Sequence, residues 1–419
     1  MKLFLINRYF YPDESATSRI VTSLALALSA KGWPVEVLTS RSLHNDRTVR
    51  LAGSDAVKGV AVHRIRTTAF GRHRLIGRAI DYATFHLATF WHLLRRARPG
   101  DLCIVCTDPP LLSVPAILAT ALRGAGQVNW LHDLFPEVAQ VLGVGTRFGR
   151  FMRAAVRLRD LSLRHARLNV VPMQTMAAYL GRRGIPEGTL CTLSHWSDGD
   201  AIRPVDRARN ALRDEWGLAG RFVVGYSGNF GRAHDFTTFL RAASLLRLRK
   251  EIVFVFIGGG HQQNSIEAAI AAMKLDNVIM KPLQPRERLS ETLGLADLHL
   301  ISLTPAMEPF VIPSKLYGIL AAGRPAVFVG HLSGEIASIL RAGDCGRSVP
   351  PGDGAGLADV ILSYARDPAL GIRQGDNARR LFDARFTEAA GTAAWERALA
   401  EAAIEPAGSR SALPPPVTP

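Results

Sequence analysis

Three segments in the second half of this 419-residue chain follow apolar runs and carry residue types suited to gripping a diphosphate. In Tyr226-Ser-Gly-Asn-Phe-Gly-Arg-Ala-His-Asp235, Gly228 and Gly231 permit a tight turn and close backbone approach. Asn229, Arg232 and His234 add polar or cationic groups to the same stretch. Gly258-Gly259-Gly260 closes the strongly apolar run Ile252–Ile257. The third segment, Pro305–Ser314, leads into a helix predicted over Lys315–Ala322. A helix N-terminus presents free N–H groups and the positive end of a dipole. Lys315 at that end disfavours the helix itself, a conflict that an anionic ligand removes. The alternative is a Lys315 that points to solvent.

Open α/β sheets bind ligands beyond the carboxyl ends of their strands, so these segments need strands behind them. Apolar runs read as strands at Lys2–Asn7, Val35–Thr39, Val60–Arg66, Leu102–Cys106, Val128–His132 and Leu168–Pro172. A helix pattern over Ala16–Lys31 stops at Gly32. The pattern breaks near Leu193–Arg203 and then restarts: strands at Phe222–Tyr226, Ile252–Ile257, Asn277–Lys281, Leu298–Leu303 and Ala326–Val329, and a helix over Phe236–Leu248. Strands alternating with helices imply βαβ units. The expected class is therefore α/β, with two Rossmann-like parallel-sheet domains facing a cleft. The expected bounds are 1–198 and 199–387, then a helix over 388–404 packing back toward the first domain, and a disordered tail at 405–419.

The net charge of +15 is uneven: residues 1–200 hold 26 Lys/Arg against 14 Asp/Glu, and the remaining 219 hold 25 against 22. A basic first half favours an anionic partner, nucleic acid or an acidic membrane leaflet. A high-GC coding bias, visible in the excess of Arg over Lys, is the competing account. Four cysteines cannot build a disulfide framework. Cys103 and Cys106, three apart on a strand, point to opposite faces and are expected to be buried thiols. Asp198-Gly-Asp200 lies in the linker, so no metal is expected. No apolar run is long enough to span a bilayer, and the N-terminus lacks a signal-peptide pattern; the expectation is a cytoplasmic protein.

In order and spacing, these pieces resemble the retaining glycosyltransferases of family 4, which have the two-domain GT-B fold. The likeness is closest to the exopolysaccharide, O-antigen and colanic-acid branch. It covers about residues 1–400. In the second half it is carried by Tyr226-Ser-Gly-Asn229, Phe254–Gly260, Pro313-Ser-Lys-Leu-Tyr317 and Ala321-Ala-Gly-Arg-Pro325. In the first half it is carried by Tyr9-Phe-Tyr-Pro12, Thr107-Asp-Pro-Pro110, Leu131-His-Asp-Leu-Phe-Pro-Glu137 and Ser194-His-Trp196.

The resemblance implies a nucleotide-sugar donor, no cofactor, and a lipid-linked saccharide acceptor of surface polysaccharide synthesis. The family's paired acids, eight apart before an Ala-x-Gly-x-Pro turn, align here with Phe310 and Gly318, so the ribose acid is absent. Glu308 is the substitute if the loop is shifted. The family's diphosphate-neutralising Arg and Lys fall nearest Asn229 and His234, leaving Arg232 and Lys315 as the cations. The implied donor set is therefore Gly228, Asn229, Arg232, His234, Gly258, Gly259, Phe310, Ser314 and Lys315. His132, Asp133 and Glu308 are the implied catalytic residues, and His132 could instead be a hydrogen-bonded strand-end residue. Asp13 and Glu14 match the loop that approaches the acceptor, with Ser15-Ala16 in place of a Gly-Gly pair.

Two helix patterns bear on a membrane partner. Leu75–Leu94 carries Ile76, Ile80, Ala83, Leu87, Phe90, Trp91 and Leu94 at helical spacing before Arg95-Arg-Ala-Arg98, and Arg147–Arg167 sets Phe148, Phe151, Met152, Ala155, Leu158, Leu161 and Leu163 among seven arginines. A basic amphipathic helix reads as membrane-surface. Both demands are met if the apolar stripe packs inward while the arginine rim attracts lipid phosphates. The expected partner is an anionic membrane surface on the inner face of the cytoplasmic membrane, not nucleic acid. A nucleotide-sugar epimerase, using Asp133 and Glu137 as acid and base, is the rival enzyme reading. A non-catalytic nucleotide-sugar or lipid-binding protein is the third. A dinucleotide oxidoreductase is disfavoured because no G-x-G-x-x-G follows the first strand.

Overall fold

The computed structural model describes residues 1–44, 46, 49–70, 75–143 and 149–404. The tail at 405–419, with Arg147 and Phe148, lies outside the described residues. The chain forms two compact units. The first comprises residues 1–194, 310–312 and the C-terminal stretch from Gly391; the second comprises 195–309 and 313–390.

The first unit is built on an eight-stranded sheet: β1 (Leu3–Ile6), β2 (Val35–Ser40), β3 (Ser54–Val57), β4 (Val60–Ile65), β5 (Leu102–Cys106), β6 (Gly126–Trp130), β7 (Leu168–Val171) and β8 (Leu190–Thr192). The spatial order is β3-β4-β2-β1-β5-β6-β7-β8. All neighbours are parallel except β3, which pairs antiparallel with β4 at the edge. The short strands β3 and β8 have no apolar run in the sequence. β6 ends at Trp130, so His132 lies in the loop beyond the strand rather than at its last position.

The helices of this unit are α1 (Ala16–Ala30), α2 (Leu75–Arg96), α3 (Ser113–Arg123), α4 (Glu137–Val141), α5 (Gly149–His165) and α6 (Gln174–Arg182). Phe4, Ile6, Leu38, Phe85, Leu93 and Val105 form one core cluster beneath them. Strands buried on both faces need continuous apolar runs, which is why Leu102-Cys-Ile-Val-Cys106 is buried throughout. Burial pushes the Cys103 and Cys106 thiols far up, as inert core groups.

The second unit holds helices α7 (Ala211–Glu215), α8 (Thr237–Leu245), α9 (Gln263–Met273), α10 (Leu289–Gly294), α11 (Lys315–Ala321), α12 (Glu335–Ala342), α13 (Gly354–Arg366) and α14 (Pro368–Arg385). Its sheet is all parallel: β9 (Phe222–Asn229), β10 (Ile252–Gly259), β11 (Val278–Lys281), β12 (Leu298–Ser302), β13 (Ala326–Val329) and β14 (Gly346–Val349), in the order β11-β10-β9-β12-β13-β14. β9 and β10 run further than their apolar residues suggest, and carry Gly228 and Gly258 in register at their ends. Tyr226, Phe236, Phe239, Phe254 and Phe256 are buried together in one cluster. Burying each such ring contributes about 1.5–3 kcal/mol. The final helix, α15 (Glu388–Ile404), enters the first unit at Gly391. There Trp395 is fully buried, with its ring centroid 4.7 Å from that of Trp130.

Candidate active site

The strand order of the second unit reverses between β9 and β12, and ligands of such sheets bind at the switch point. The loops leaving these strands are tied together there. His234 Nδ1 bonds the Ser302 carbonyl at 2.6 Å, the Asp235 N–H donates to Ser302 Oγ, and the Thr304 N–H donates to the Ala233 carbonyl. Gly228 and Gly258 have φ of +132° and +140°. A Cβ on Gly258 would lie 2.1 Å from the Gly228 carbonyl oxygen, so the two strand ends meet only because Gly258 lacks one.

Lys315 reaches into this junction from the first turn of α11. Its Nζ is buried and makes no hydrogen bond, and it sits 3.5 Å from the centre of the Tyr226 ring. The space above Gly228 is bounded by the same ammonium, 3.5 Å from an ideal Cβ there. No carboxylate pairs with it among the described residues. Burial drives its pKa well below the usual lysine range. The solvent-pointing alternative for Lys315 is therefore overturned. α11 itself has seven residues, and the exposed Ser314 at its N-cap makes no side-chain capping bond. The buried Lys315 Nζ, rather than the helix end, is the polar group left without a hydrogen bond at this junction.

His234 is pushed down to about 4, first by burial and then by the nearby Lys315 charge. It is neutral at pH 7, so it positions the loop and carries no charge for a phosphate. Arg232 is exposed and donates from Nε to His261 Nε2 at 2.9 Å; Asn229 is also exposed. Gly259 lies beside Gln263 at the start of α9. These residues converge on one edge of the second unit.

Glu308 has a different task from the one expected. Its Oε1 accepts the backbone N–H of Glu335 at 2.8 Å, so it caps α12, and burial raises its pKa. Gly318, where the ribose acid aligns, explains the missing carboxylate: a Cβ there would meet only the terminal methyls of Leu293 and Ile202, at 3.3 and 3.7 Å. An acid on that side of α11 would enter an apolar contact. Phe310 is held by its ring and its backbone carbonyl. It belongs to the first unit, where its carbonyl accepts the Leu134 N–H and its ring meets Tyr179 edge-on at 4.9 Å.

In the first unit, the His132 ring lies 4.6 Å from Trp130, which in turn packs on Trp395. Asp133 forms an isolated antiparallel bridge with Val311. Its side chain keeps solvent access, yet lost hydration raises its pKa, against a lowering hydrogen bond from Thr107. Asp13 is buried and ties its own loop to the segment after β2: Oδ1 accepts from Ser15 N and Oγ, and Oδ2 from the His44 N–H. Its carboxylate shapes that loop, and only the neighbouring Glu14 is exposed.

Glu137 is a buried partner of Arg159, with contacts of 2.6 and 3.0 Å to its two oxygens, and it also accepts the Tyr179 hydroxyl. A carboxylate held this way is a structural ion pair, so the epimerase reading loses one of its two candidate acids. Tyr226 and the Glu137–Arg159 pair are the contributions that sequence reasoning missed. Tyr226 lay inside a motif, but nothing local reveals that its ring faces a distant ammonium.

Comparison with known proteins decides the class. The family described as Glycosyl transferase 4-like domain matches residues 15–196, and that described as Glycosyl transferases group 1 matches residues 208–381. The chain belongs to the family 4 glycosyltransferases. It is an enzyme of hexosyl transfer with the GT-B fold, of the kind that serves bacterial polysaccharide biosynthesis.

Among its relatives, the protein named as glycosyltransferase WbjE of Pseudomonas aeruginosa is 27% identical over 292 residues, 69% of this chain and 72% of the relative. The protein named as colanic acid biosynthesis glycosyl transferase WcaI of Escherichia coli (strain K12) is 27% identical over 356 residues, 81% of this chain and 86% of the relative. The sucrose-phosphate synthase of Thermosynechococcus elongatus shares the fold, with a TM-score of 0.74 at 18% identity over 96% of this chain and 98% of that one. The same holds for Anabaena HepE in complex with UDP-glucose, with a TM-score of 0.71 at 15% identity over 96% and 100%.

Proposed function

We propose that this family 4 glycosyltransferase moves a sugar from a nucleoside diphosphate to a lipid-linked saccharide acceptor, with retention of anomeric configuration. The observation that carries the donor side is Lys315. A buried ammonium without a counter-ion, at the switch point of a parallel sheet and beside two positive-φ glycines, suits an incoming diphosphate. A UDP-sugar is the first donor to test, because the similarly folded HepE is described with UDP-glucose.

In the step we propose, the bond from the anomeric carbon to the diphosphate oxygen breaks while the acceptor hydroxyl attacks the same face. The acceptor's proton passes to the departing phosphate oxygen. Negative charge grows on the leaving group, and Lys315 with Arg232 offsets it. His132 contacts the transferring sugar. A double displacement finds no support in the carboxylates, since Glu308 caps a helix and Glu137 is locked to Arg159. The acceptor's lipid implies work at the inner face of the cytoplasmic membrane, approached through the basic first half. No helix among the described residues is long and apolar enough to cross a membrane.

The test is transfer itself. Purified protein is incubated with bacterial membranes and radiolabelled UDP-, GDP- and dTDP-sugars. Label moving into the organic phase with one donor supports the reading. Free sugar or an epimer, with no transfer, defeats it.

A further inference from the structure

α2, α3 and α5 lie side by side on the first unit, with α3 packed against both neighbours. Their inward faces are accounted for by residues such as Phe85 and Leu93 on α2 and Met152 and Arg159 on α5. Their outward faces are not the polar surfaces that inward-packing stripes would leave. Ile76, Ile80, Leu87 and Trp91 line one exposed side of α2, with Leu87 60% and Trp91 45% exposed. α3 adds Leu118 and Leu122, one turn apart, the latter 69% exposed. α5 adds Leu158, Leu161 and Phe151, the last 64% exposed. Single exposed apolar residues need no explanation, but a run of them across three adjoining helices marks an interaction surface.

Charge selects the occupant. The only carboxylates on these helices are Asp81 and Asp160, both buried. The outward charges are arginines: Arg95 and Arg96 on α2, and Arg150, Arg153, Arg157 and Arg164 on α5. A second copy of the chain docking face to face would set these arginines against their own equivalents, which is repulsive. An anionic leaflet accommodates both parts of the surface, with phosphates for the arginines and an acyl boundary for the apolar rows. The Arg95 guanidinium lies 5.4 Å from the Trp91 ring, placing an amphipathic aromatic and a cation together as membrane interfaces favour.

We infer that the outward face of α2, α3 and α5 is a lipid-inserting platform, its leucines, isoleucines and aromatics entering the acyl boundary of an anionic leaflet while its arginines hold headgroup phosphates. The inference rests on the proposed membrane placement and exceeds it, because adsorption by charge alone requires no insertion. The depth expected of such helices is about 5–10 Å.

The experiment uses the full chain with phosphatidylcholine vesicles, with and without phosphatidylglycerol, their acyl chains brominated to quench tryptophan at contact. The chain has six tryptophans, so the difference from Trp91→Phe isolates the one on α2. The expected result is co-sedimentation with the anionic vesicles and quenching that Trp91→Phe abolishes. Leu87→Ser with Leu122→Ser should weaken vesicle binding about tenfold or more and leave thermal unfolding unchanged, since both side chains are exposed. Arg153→Ala with Arg157→Ala should also weaken it. Sedimentation without quenching of Trp91 would refute insertion and leave charge-driven adsorption standing. No sedimentation would refute both. A dimer that the double serine variant dissolves, without quenching, would assign the face to a second copy.

Discussion

The Nζ of Lys315 lies 3.5 Å from the centre of the Tyr226 ring. The ring's negative face favours a cation, but a single aromatic does not replace the water lost by a buried ammonium. Burial therefore favours the neutral amine at this position, and an anion beside it would favour the charged form.

Lys315→Met should therefore lower affinity for the donor nucleotide by about tenfold or more without destabilising the fold. Calorimetric titration with UDP, GDP and dTDP beside thermal unfolding checks both parts. Unchanged nucleotide affinity would remove Lys315 from the donor site.

Gly258→Ala should cost far more than Gly231→Ala. At Gly258 a Cβ meets the Gly228 carbonyl at 2.1 Å with φ at +140°, whereas at Gly231 its nearest neighbour is the Asn229 amide nitrogen at 3.4 Å. The strand ends must separate in the first variant, so nucleotide binding should be lost there and kept in the second. Equal affinities in the two variants would contradict the close approach.

Removing one partner of the Glu137–Arg159 pair strands a buried charge. Arg159→Met should destabilise the first unit by about 3–5 kcal/mol. Denaturant unfolding measures this, and a loss below 1 kcal/mol (roughly the range of an exposed pair) would show that water reaches Glu137.

His195, His234 and His299 are each pushed down to about 4 by burial. The folded state holds them neutral while the unfolded chain binds protons at its ordinary histidine pKa. Their contribution is complete above about 6.5 and is lost as pH falls from there toward 4. The melting temperature should drop between pH 7 and pH 5, and His299→Gln should blunt the drop. A melting temperature that is flat over this window would mean the three rings are not buried as described.

Trp395→Ala should disturb chemistry as well as stability. The Trp395–Trp130–His132 stack links α15 to the His132 loop, and a buried tryptophan cut to alanine costs about 3–5 kcal/mol. Transfer by the surviving folded protein should fall in kcat with little change in donor KM. An unchanged kcat would confine Trp395 to the core.

The alternation of apolar runs and helix patterns was enough to read two parallel-sheet units, because a strand buried on both faces must be apolar throughout. β5 shows this residue for residue. β3 and β8 were not legible, since short edge strands bury too little to need a pattern. The glycines and Lys315 that meet at the ends of β9 and β10 stood out in the sequence, as glycines at strand ends and a lysine at a helix start are locally conspicuous. Glu308 was misread because a carboxylate that caps a helix and one that binds a ribose look alike until the α12 N–H is found beside it. The stripe on α2 was legible only in part: helical spacing gives the angle between side chains but not which side meets the sheet, and Phe90 packs on the core while Ile76, Leu87 and Trp91 are exposed.

By itself, then, the sequence determined the class of fold and the family, both of which rest on local periodicity and residue type. Only the tertiary structure decided which charges are paired. Lys315 is left without a carboxylate, Glu137 is given to Arg159, Glu308 to α12, and the apolar row of α2 to the outside. Pairing and burial depend on groups brought together from distant parts of the chain, and distance in space is not written in the order of residues.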